Sequence, residues 1–178
     1  MTRHPIDAHV DPRRGDHDEA RQGVTREAFR EALSHWASTV TVVAARDGDH
    51  VHATTVTSFF PVSLDPPLVA VSLGPNAQVL PWLDEDARFV VSFLEEGQRA
   101  LASRFADSYP VGPSPFPASG DPVVEGSVGA LACAVRQVWE TEGGTRLVIG
   151  RVEALTTGSG TAPLLYYRRG YRGLSHEE

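Results

Sequence analysis

The sequence contains almost no cysteine and no long apolar run, and both shortages exclude classes of protein. Because Cys133 is the only cysteine, an intramolecular disulfide and a zinc site made of several cysteines are excluded. No apolar stretch approaches the roughly 20 residues that a membrane-spanning helix needs. The first residues also lack the apolar segment of a secretory signal peptide. We therefore expect a cytoplasmic protein with no membrane partner, and the spacing of the histidines predicts no metal site.

Positive charge is scarce as well. The chain has 16 lysines and arginines against 23 aspartates and glutamates, which gives a formal net charge of −7. A nucleic-acid-binding surface needs a basic stripe that neutralises phosphates. The densest basic run is only Arg168, Arg169 and Arg172 near the C-terminus, so we expect no nucleic-acid partner. Two explanations of this small basic cluster are about equally good: it binds the phosphates of a dinucleotide, or it is ordinary solvated surface charge.

The length and the pattern along the chain predict one folded domain with an N-terminal arm. A chain of 178 residues is long enough to bury one sizeable core. Residues 1–23 are polar and show no periodicity, so we expect a disordered arm there and a domain over residues 24–178. Thr25 can cap a helix whose apolar residues recur at helical spacing as far as Trp36.

The rest of the pattern is rich in strands. β-Branched residues on both sides of the turn at residues 47–49 predict a hairpin of residues 39–44 and 50–59. Further strands are predicted over residues 68–73, 88–94, 129–141 and 145–155, helices over residues 76–84 and 98–107, and a proline-rich loop over residues 110–117. Helices do not alternate with strands, and the glycine motifs of the common nucleotide-binding loops are absent. The pattern predicts a mainly β fold with flanking helices, arranged as an antiparallel barrel.

Other conspicuous side chains are explained by packing. The thiol of Cys133 lies in an apolar, strand-like segment, and we expect it to be an inert core group. Core or interface positions are expected for the three tryptophans, Trp36, Trp82 and Trp139.

The most informative segment joins a threonine-rich strand to an apolar strand through two consecutive prolines. Residues 53–58 read Ala-Thr-Thr-Val-Thr-Ser, which offers hydroxyls and backbone amides with no charge. Such a surface suits an uncharged polar ligand edge, such as the pyrimidine ring and ribityl chain of a flavin. In the turn that follows, Pro66 and Pro67 lack N–H donors, so we expect residues 65–67 to lie outside any strand ladder.

Fragments in a fixed order resemble the flavin reductase-like family of FMN-binding split β-barrels, the reductase partners of two-component flavin monooxygenases. The fragments are residues 29–33, 36–43, 54–58, 63–69, 71–73, 89–92, 101–106, 131–135, 149–152 and 163–167. The resemblance implies a Greek-key-like antiparallel split barrel, a homodimer with the flavin at its interface, and a monooxygenase that accepts reduced flavin. It implies FMN or FAD and NADH or NADPH as cofactors, which carry the chemistry without a catalytic side chain.

The resemblance also assigns cofactor-binding residues by their position. Residues 54–58 are expected at the ribityl chain and the isoalloxazine edge, and the turn at residues 143–145 is expected at the nicotinamide cofactor. The full set is Thr54, Thr55, Val56, Thr57, Ser58, Ser72, Asn76, Ala77, Val79, Ser92, Phe93 and Thr145.

At several of these positions the chain departs from the family. Ala77 and Val79 stand where the family has a serine and a threonine that hold the FMN phosphate, so we expect weaker phosphate binding. Ser92 and Phe93 replace an Asn-Val pair near the flavin. Gly143-Gly144-Thr145 replaces a Gly-Asp-His turn whose histidine faces the nicotinamide, and Thr145 can neither stack nor carry charge.

Three hypotheses follow from the sequence. The first is an NAD(P)H-dependent flavin reductase that supplies reduced flavin to a monooxygenase. The second, motivated by Thr145, is a flavin-dependent enzyme of the same fold that acts on an organic substrate without NAD(P)H. The third, motivated by Ala77 and Val79, is a non-catalytic split-barrel protein that binds flavin or joins a complex.

Overall fold

The computed structural model describes residues 23–174. Its contacts divide the chain into two units, Met1–Leu33 and Ser34–Glu178. The predicted arm over residues 1–23 lies almost entirely outside the described residues, so the arm and its boundary with the domain stay predictions.

The described part of the first unit consists mainly of helix α1, which spans Arg26–Ser34 and continues to the boundary with the second unit. Thr25 caps it as predicted, because its Oγ1 accepts a hydrogen bond of 3.1 Å from the backbone N–H of Ala28. Glu27 lies in the first turn, where a negative charge favours the helix dipole.

The second unit is built mainly from strands, in agreement with the predicted fold class. The strands are β1 (Ser38–Thr39), β2 (Thr41–Asp47), β3 (His50–Val56), β4 (Phe59–Leu64), β5 (Pro67–Leu73), β6 (Arg88–Phe93), β7 (Gly129–Glu140), β8 (Arg146–Thr157), β9 (Leu165–Tyr167) and β10 (Gly170–Arg172). Helix α2 spans Arg99–Ala106, and short 3-10 turns cover Leu80–Trp82 and Glu96–Gln98. None of the described helices is long and apolar enough to cross a membrane.

Seven strands form one antiparallel sheet in the order β3-β2-β6-β7-β8-β5-β4. A smaller antiparallel sheet has the order β1-β9-β10. The sequential hairpins β2–β3, β4–β5 and β7–β8 all lie in the larger sheet. This order leaves β3 at one edge of the sheet and β4 at the other.

The core lies on both faces of β2. Val43 and Ala45 point into a cluster that includes Phe89 of β6, whereas Val42 and Ala44 point into a second cluster that is partly covered by α2. Successive side chains of a strand point to opposite faces. The continuous β-branched and alanine run of β2 is therefore buried on both sides.

The structure corrects two expectations and narrows a third. Residues 76–84 contain only the 3-10 turn Leu80–Trp82, in which Pro81 has no N–H donor for a regular helix. Pro67 begins β5 and is paired with Leu64, which is possible because the first residue of a strand need not donate to the ladder. Trp36 and Trp139 are 73% and 50% exposed and so lie outside the core of this chain, and an interface position stays the prediction for them.

Candidate functional site

A groove lies beside the edge strand β3. Its walls come from the end of β3, the segment that follows β5, and the C-terminus of α2, and its volume is about 280 Å³. Its described lining consists of Thr54, Thr55, Val56, Leu73, Gly74, Pro75, Asn76, Ala77, Gln78, Phe105, Ala106, Asp107 and Ser108. The groove thus collects residues that are about fifty positions apart in the sequence.

Both threonine hydroxyls of the β3 wall form hydrogen bonds with backbone groups of the protein itself. Oγ1 of Thr55 donates to the carbonyl of Ala102 in α2 at 2.8 Å, and Oγ1 of Thr54 accepts from the N–H of Val79 at 3.4 Å. These bonds hold α2 and the segment after β5 against β3. Because β3 is an edge strand, alternate backbone N–H and C=O groups point away from β2. The backbone of β3, more than its hydroxyls, is therefore available to a ligand.

The groove is nearly uncharged. Asp107 is the only charged residue in its described lining, and its Oδ1 accepts a hydrogen bond from the N–H of Tyr109 at 3.1 Å. Across the rim, Nε2 of Gln78 donates to the carbonyl of Ser108 at 2.5 Å and joins two of the walls. Such a lining favours an uncharged polar ligand edge over an anion.

The predicted site residues divide between this groove and the protein interior. Five of them line the groove, and they are Thr54, Thr55, Val56, Asn76 and Ala77. Ser58 and Ser72 do not line the groove and are joined by a hydrogen bond, in which Oγ of Ser58 donates to the Ser72 carbonyl at 2.6 Å. Thr57 is exposed just after β3.

Val79, Ser92 and Phe93 point into packed regions of the chain. Val79 is completely buried in the core cluster beside β5, and Ser92 is completely buried with its Oγ accepting from the N–H of Val124 at 3.0 Å. Phe93 is half-buried and packs edge-on against Phe59, with ring centroids 5.4 Å apart. The side chains of Val79 and Ser92 have no surface in this chain that a ligand could contact.

Thr145 lies in the turn between β7 and β8, and this turn reaches the segment after β5. The N–H of Thr141 donates to the Thr145 carbonyl at 2.8 Å and closes the turn. A Cβ added at the neighbouring Gly144 would lie 3.8 Å from Cβ of Pro75, a lining residue of the groove. The expected nicotinamide turn is thus adjacent to the groove without being part of its lining.

A second cavity of about 520 Å³ shares the segment of residues 75–78 with the groove. Its remaining described lining is Leu80, Pro81, Trp82 and Arg146. Neither Arg146 nor the groove residues 105–108 are among the site residues predicted from the sequence. The sequence pattern that could have indicated residues 105–108 is the end of a predicted helix immediately before a proline-rich loop.

A third cavity, of about 630 Å³, lies under the proline-rich loop. Arg46 Nε donates to the carbonyl of Gly120 at 2.9 Å, and Arg104 donates through a terminal nitrogen to that of Pro113 at 3.0 Å. Through these hydrogen bonds the two arginines hold the loop against β2 and α2.

Burial changes the pKa of two side chains, His52 beside Trp82 and Cys133 in the core. Burial lowers the pKa of His52, whose ring stacks on Trp82 with centroids 3.3 Å apart; nearby Asp47 opposes this shift and His50 adds to it. Burial, reinforced by the charge of Glu153, raises the pKa of the Cys133 thiol to about 12. The expected core position of this thiol is confirmed by its burial, and its inertness stays a prediction. Among the described residues, no group of three or more histidine, cysteine, aspartate and glutamate side chains could hold a metal ion.

Comparison with known proteins places this geometry in a family. Residues 33–175 match the model of the flavin reductase like domain. The chain is 41% identical over 149 residues to the reductase component of 4-hydroxyphenylacetate 3-monooxygenase from Thermus thermophilus, covering 84% of this chain and 97% of that protein. It is 35% identical to the NADH:riboflavin 5'-phosphate oxidoreductase of Streptomyces pristinaespiralis, with 88% of this chain and 93% of that protein covered.

The solved structures agree. The NADH:FAD oxidoreductase of Streptomyces globisporus, in complex with NAD and FAD fragments, superposes with a TM-score of 0.73 at 30% identity, covering 84% of this chain and 93% of that one. The predicted split-barrel fold is confirmed by this agreement together with the strand order. The chain therefore belongs to the flavin reductase-like domain family.

Proposed function

We propose that this chain is an NADH-dependent flavin reductase that supplies reduced FMN or FAD to a partner monooxygenase. The observation that carries the proposal is the nearly uncharged groove on edge strand β3, formed by the threonine-rich segment in a chain of this family. The names of the relatives support both halves of the proposal, since one is a monooxygenase reductase component and another is an NADH oxidoreductase of a flavin. We propose NADH and not NADPH as the electron donor because the name of the second relative specifies NADH.

The groove fits a flavin ring better than a flavin phosphate. The pyrimidine edge is uncharged and needs N–H donors and carbonyl acceptors, which the open edge of β3 offers around Thr54, Thr55 and Val56. A phosphate would meet Ala77, which has no donor side chain, and the carboxylate of Asp107. Weak phosphate binding suits a protein that releases its reduced flavin to a second enzyme.

The chain contributes position rather than acid–base chemistry. When bound, the flavin accepts and the nicotinamide cofactor supplies the two electrons of the reaction. The described groove lining contains no histidine, lysine or cysteine, so we expect the walls to act by holding the two rings in contact. Thr55 and Thr54 maintain these walls through their bonds to α2 and to Val79.

We also propose that the protein is a homodimer that uses β4. This edge strand exposes Phe60, Val62 and Leu64, and Leu64 is 93% exposed. An exposed apolar edge strand is a ready surface for pairing with a second copy. Light scattering of the purified protein should give the mass of a dimer, and Leu64→Glu should shift it towards the monomer. A monomeric wild-type protein would refute this part of the proposal.

The activity is tested by NADH oxidation with and without added FMN or FAD. A matched pair of variants ties the activity to the groove. Gly74→Phe places a ring where an added Cβ meets nothing within 4 Å, so it should block the groove without straining the fold. Ser103→Phe adds the same ring on the exposed face of α2, outside the lining, and should leave activity unchanged. Equal activity of both variants would refute the assignment of the groove.

The same assay separates the competing hypotheses. Flavin binding without NADH oxidation would favour a flavin-dependent enzyme that acts on another substrate, which Thr145 motivates. Absence of flavin binding would favour a non-catalytic split-barrel protein.

A further inference from the structure

The third cavity is large enough for a small molecule and is separate from the flavin groove. Its volume of about 630 Å³ lies within the roughly 300–1,000 Å³ that is usual for ligand sites. It is bounded by the proline-rich loop, the β2–β3 hairpin and the C-terminal part of α2. Phe105 is the one described residue that lines both this cavity and the groove, so the two are neighbours.

Two half-buried arginines line the third cavity, and neither pairs with a carboxylate of the described chain. Arg46 donates through all three of its nitrogens, but only to backbone carbonyls of the loop. Arg104 donates to the carbonyl of Pro113, and its buried Nε has no acceptor among the described residues. Carbonyl oxygens satisfy N–H groups without neutralising a positive charge, and each terminal nitrogen carries two N–H groups. Charge and donors therefore remain for an anion.

The charge of the lining matches an anion of one negative charge. Arg46 and Arg104 are accompanied by one carboxylate, that of Asp49, so the described lining carries one net positive charge apart from His50. A phosphate monoester would bring about −1.5 to −2 charges at pH 7. A carboxylate brings one, and its two oxygens fit the fork of a guanidinium. The lining thus favours a carboxylate over a phosphate.

The rest of the lining is mostly apolar. The rings of Phe105 and Phe116 contact each other with centroids 5.6 Å apart, and the guanidinium carbon of Arg104 lies 4.7 Å from the Phe105 ring centroid. Further apolar surface comes from Val51, Pro110, Pro113, Pro115 and Pro117. A ligand with a carboxylate at one end and an apolar body at the other would meet both kinds of surface.

We propose that the third cavity binds a small apolar carboxylate, such as an aryl carboxylate. The carboxylate lies at Arg46 and Arg104, and the apolar body lies against Phe116 and the prolines of the loop. This site is distinct from the flavin groove, and electron transfer between the nicotinamide cofactor and the flavin does not require it. The proposal therefore goes beyond the reductase activity.

The probe is 3-phenylpropionate, titrated into the full chain by calorimetry, with 3-phenylpropanamide as an uncharged ligand of similar shape. The wild type should bind the acid more tightly than the amide. Arg104→Gln keeps a donor for the loop carbonyl, and it should weaken acid binding about tenfold while leaving amide binding unchanged. The control Arg99→Gln removes the same charge from an exposed position of α2, outside the cavity lining, and should change neither.

Asp49→Asn tests the same site with the opposite sign. The side chain of Asp49 is exposed and makes no hydrogen bond or ion pair within the described chain, so its replacement should leave the loop in place. Loss of this negative charge should tighten acid binding about twofold to threefold, which is the size of one exposed charge interaction. If Arg104→Gln loses the acid and the amide alike, the loop itself has been disturbed, and Asp49→Asn then decides.

Three results would overturn the proposal. They are equal binding of the acid and the amide by the wild type, absence of acid binding, and unchanged acid binding by Asp49→Asn. A titration with FMN present locates the probe, because the acid should bind equally well beside an occupied groove. Displacement of the acid by FMN would place the probe in the groove and overturn the proposal as well. Because binding is measured without NADH, the result is independent of the proposed reductase activity.

Discussion

Residues 77 and 79, in the segment after β5, should respond differently when each is replaced by the hydroxyl residue that the family resemblance places there. Ala77 is half-buried and lines the groove, whereas Val79 is completely buried in the core. Ala77→Ser therefore adds a donor where a phosphate can reach it. Hydrogen bonds to charged groups contribute about 1.5–3 kcal/mol, and solvent at this open groove reduces the gain to about 1 kcal/mol, or roughly fivefold in Kd.

Val79→Thr should instead reduce stability without improving FMN binding. The new hydroxyl would lie among apolar side chains, where an unpaired hydroxyl costs about 1–3 kcal/mol. The N–H of Val79 already donates to Thr54, so the segment has little freedom to turn the new group outward. Urea unfolding should show the loss, and Ala77→Ser should unfold like the wild type.

Quenching of flavin fluorescence measures the binding, with riboflavin as the control ligand because it lacks the phosphate. The reasoning predicts tighter FMN binding by Ala77→Ser and unchanged riboflavin binding. Equal gains for FMN and riboflavin would show that the hydroxyl does not contact phosphate. Tighter FMN binding by Val79→Thr would show that residue 79 faces the ligand, contrary to its burial.

Three other features give direct predictions. Gly150→Ala would place a Cβ 2.5 Å from a ring carbon of buried Phe89, so it should lower the free energy of unfolding by about 1–3 kcal/mol. The control Gly74→Ala adds a Cβ that meets nothing within 4 Å, and its free energy of unfolding should equal that of the wild type. Cys133, with its pKa raised to about 12, should react with a thiol reagent only after denaturation, and rapid reaction of the native protein would contradict its burial. The pKa of His52 in the folded protein lies below its ordinary 6.5, so the stability that neutral His52 supports is complete above pH 6.5 and is lost as the pH falls through the folded-state pKa. In His52→Gln the free energy of unfolding should therefore depend less on pH below 6.5. An unchanged pH dependence would contradict this.

Much of the fold could be predicted because local signals and burial agree. The β-branched run of β2 and the turn at residues 47–49 identified the first hairpin, and Thr25 identified the start of α1. The segment at residues 76–84 failed because its apolar spacing suggested a helix while Pro81 and tertiary packing limited it to one 3-10 turn. The spacing of apolar residues in a sequence does not show whether tertiary packing will override a local helical preference.

The candidate site was only partly predictable. Position in a family pattern identified the groove residues on β3, but it did not tell which way each side chain points. Ser92 shows the reason, because its hydroxyl is used to hold the N–H of Val124, which is 32 residues away in the sequence. Arg146 and Trp82 meet across one cavity only in the folded chain, so no local motif indicated them.

The most direct test of the account is anaerobic mixing of NADH with FMN or FAD and a catalytic amount of the protein. The account predicts rapid loss of the flavin's visible absorption, at a rate proportional to protein concentration and abolished by Gly74→Phe. Loss of absorption at the uncatalysed rate, in a sample that binds flavin, would contradict the central claim that this groove makes the chain a flavin reductase.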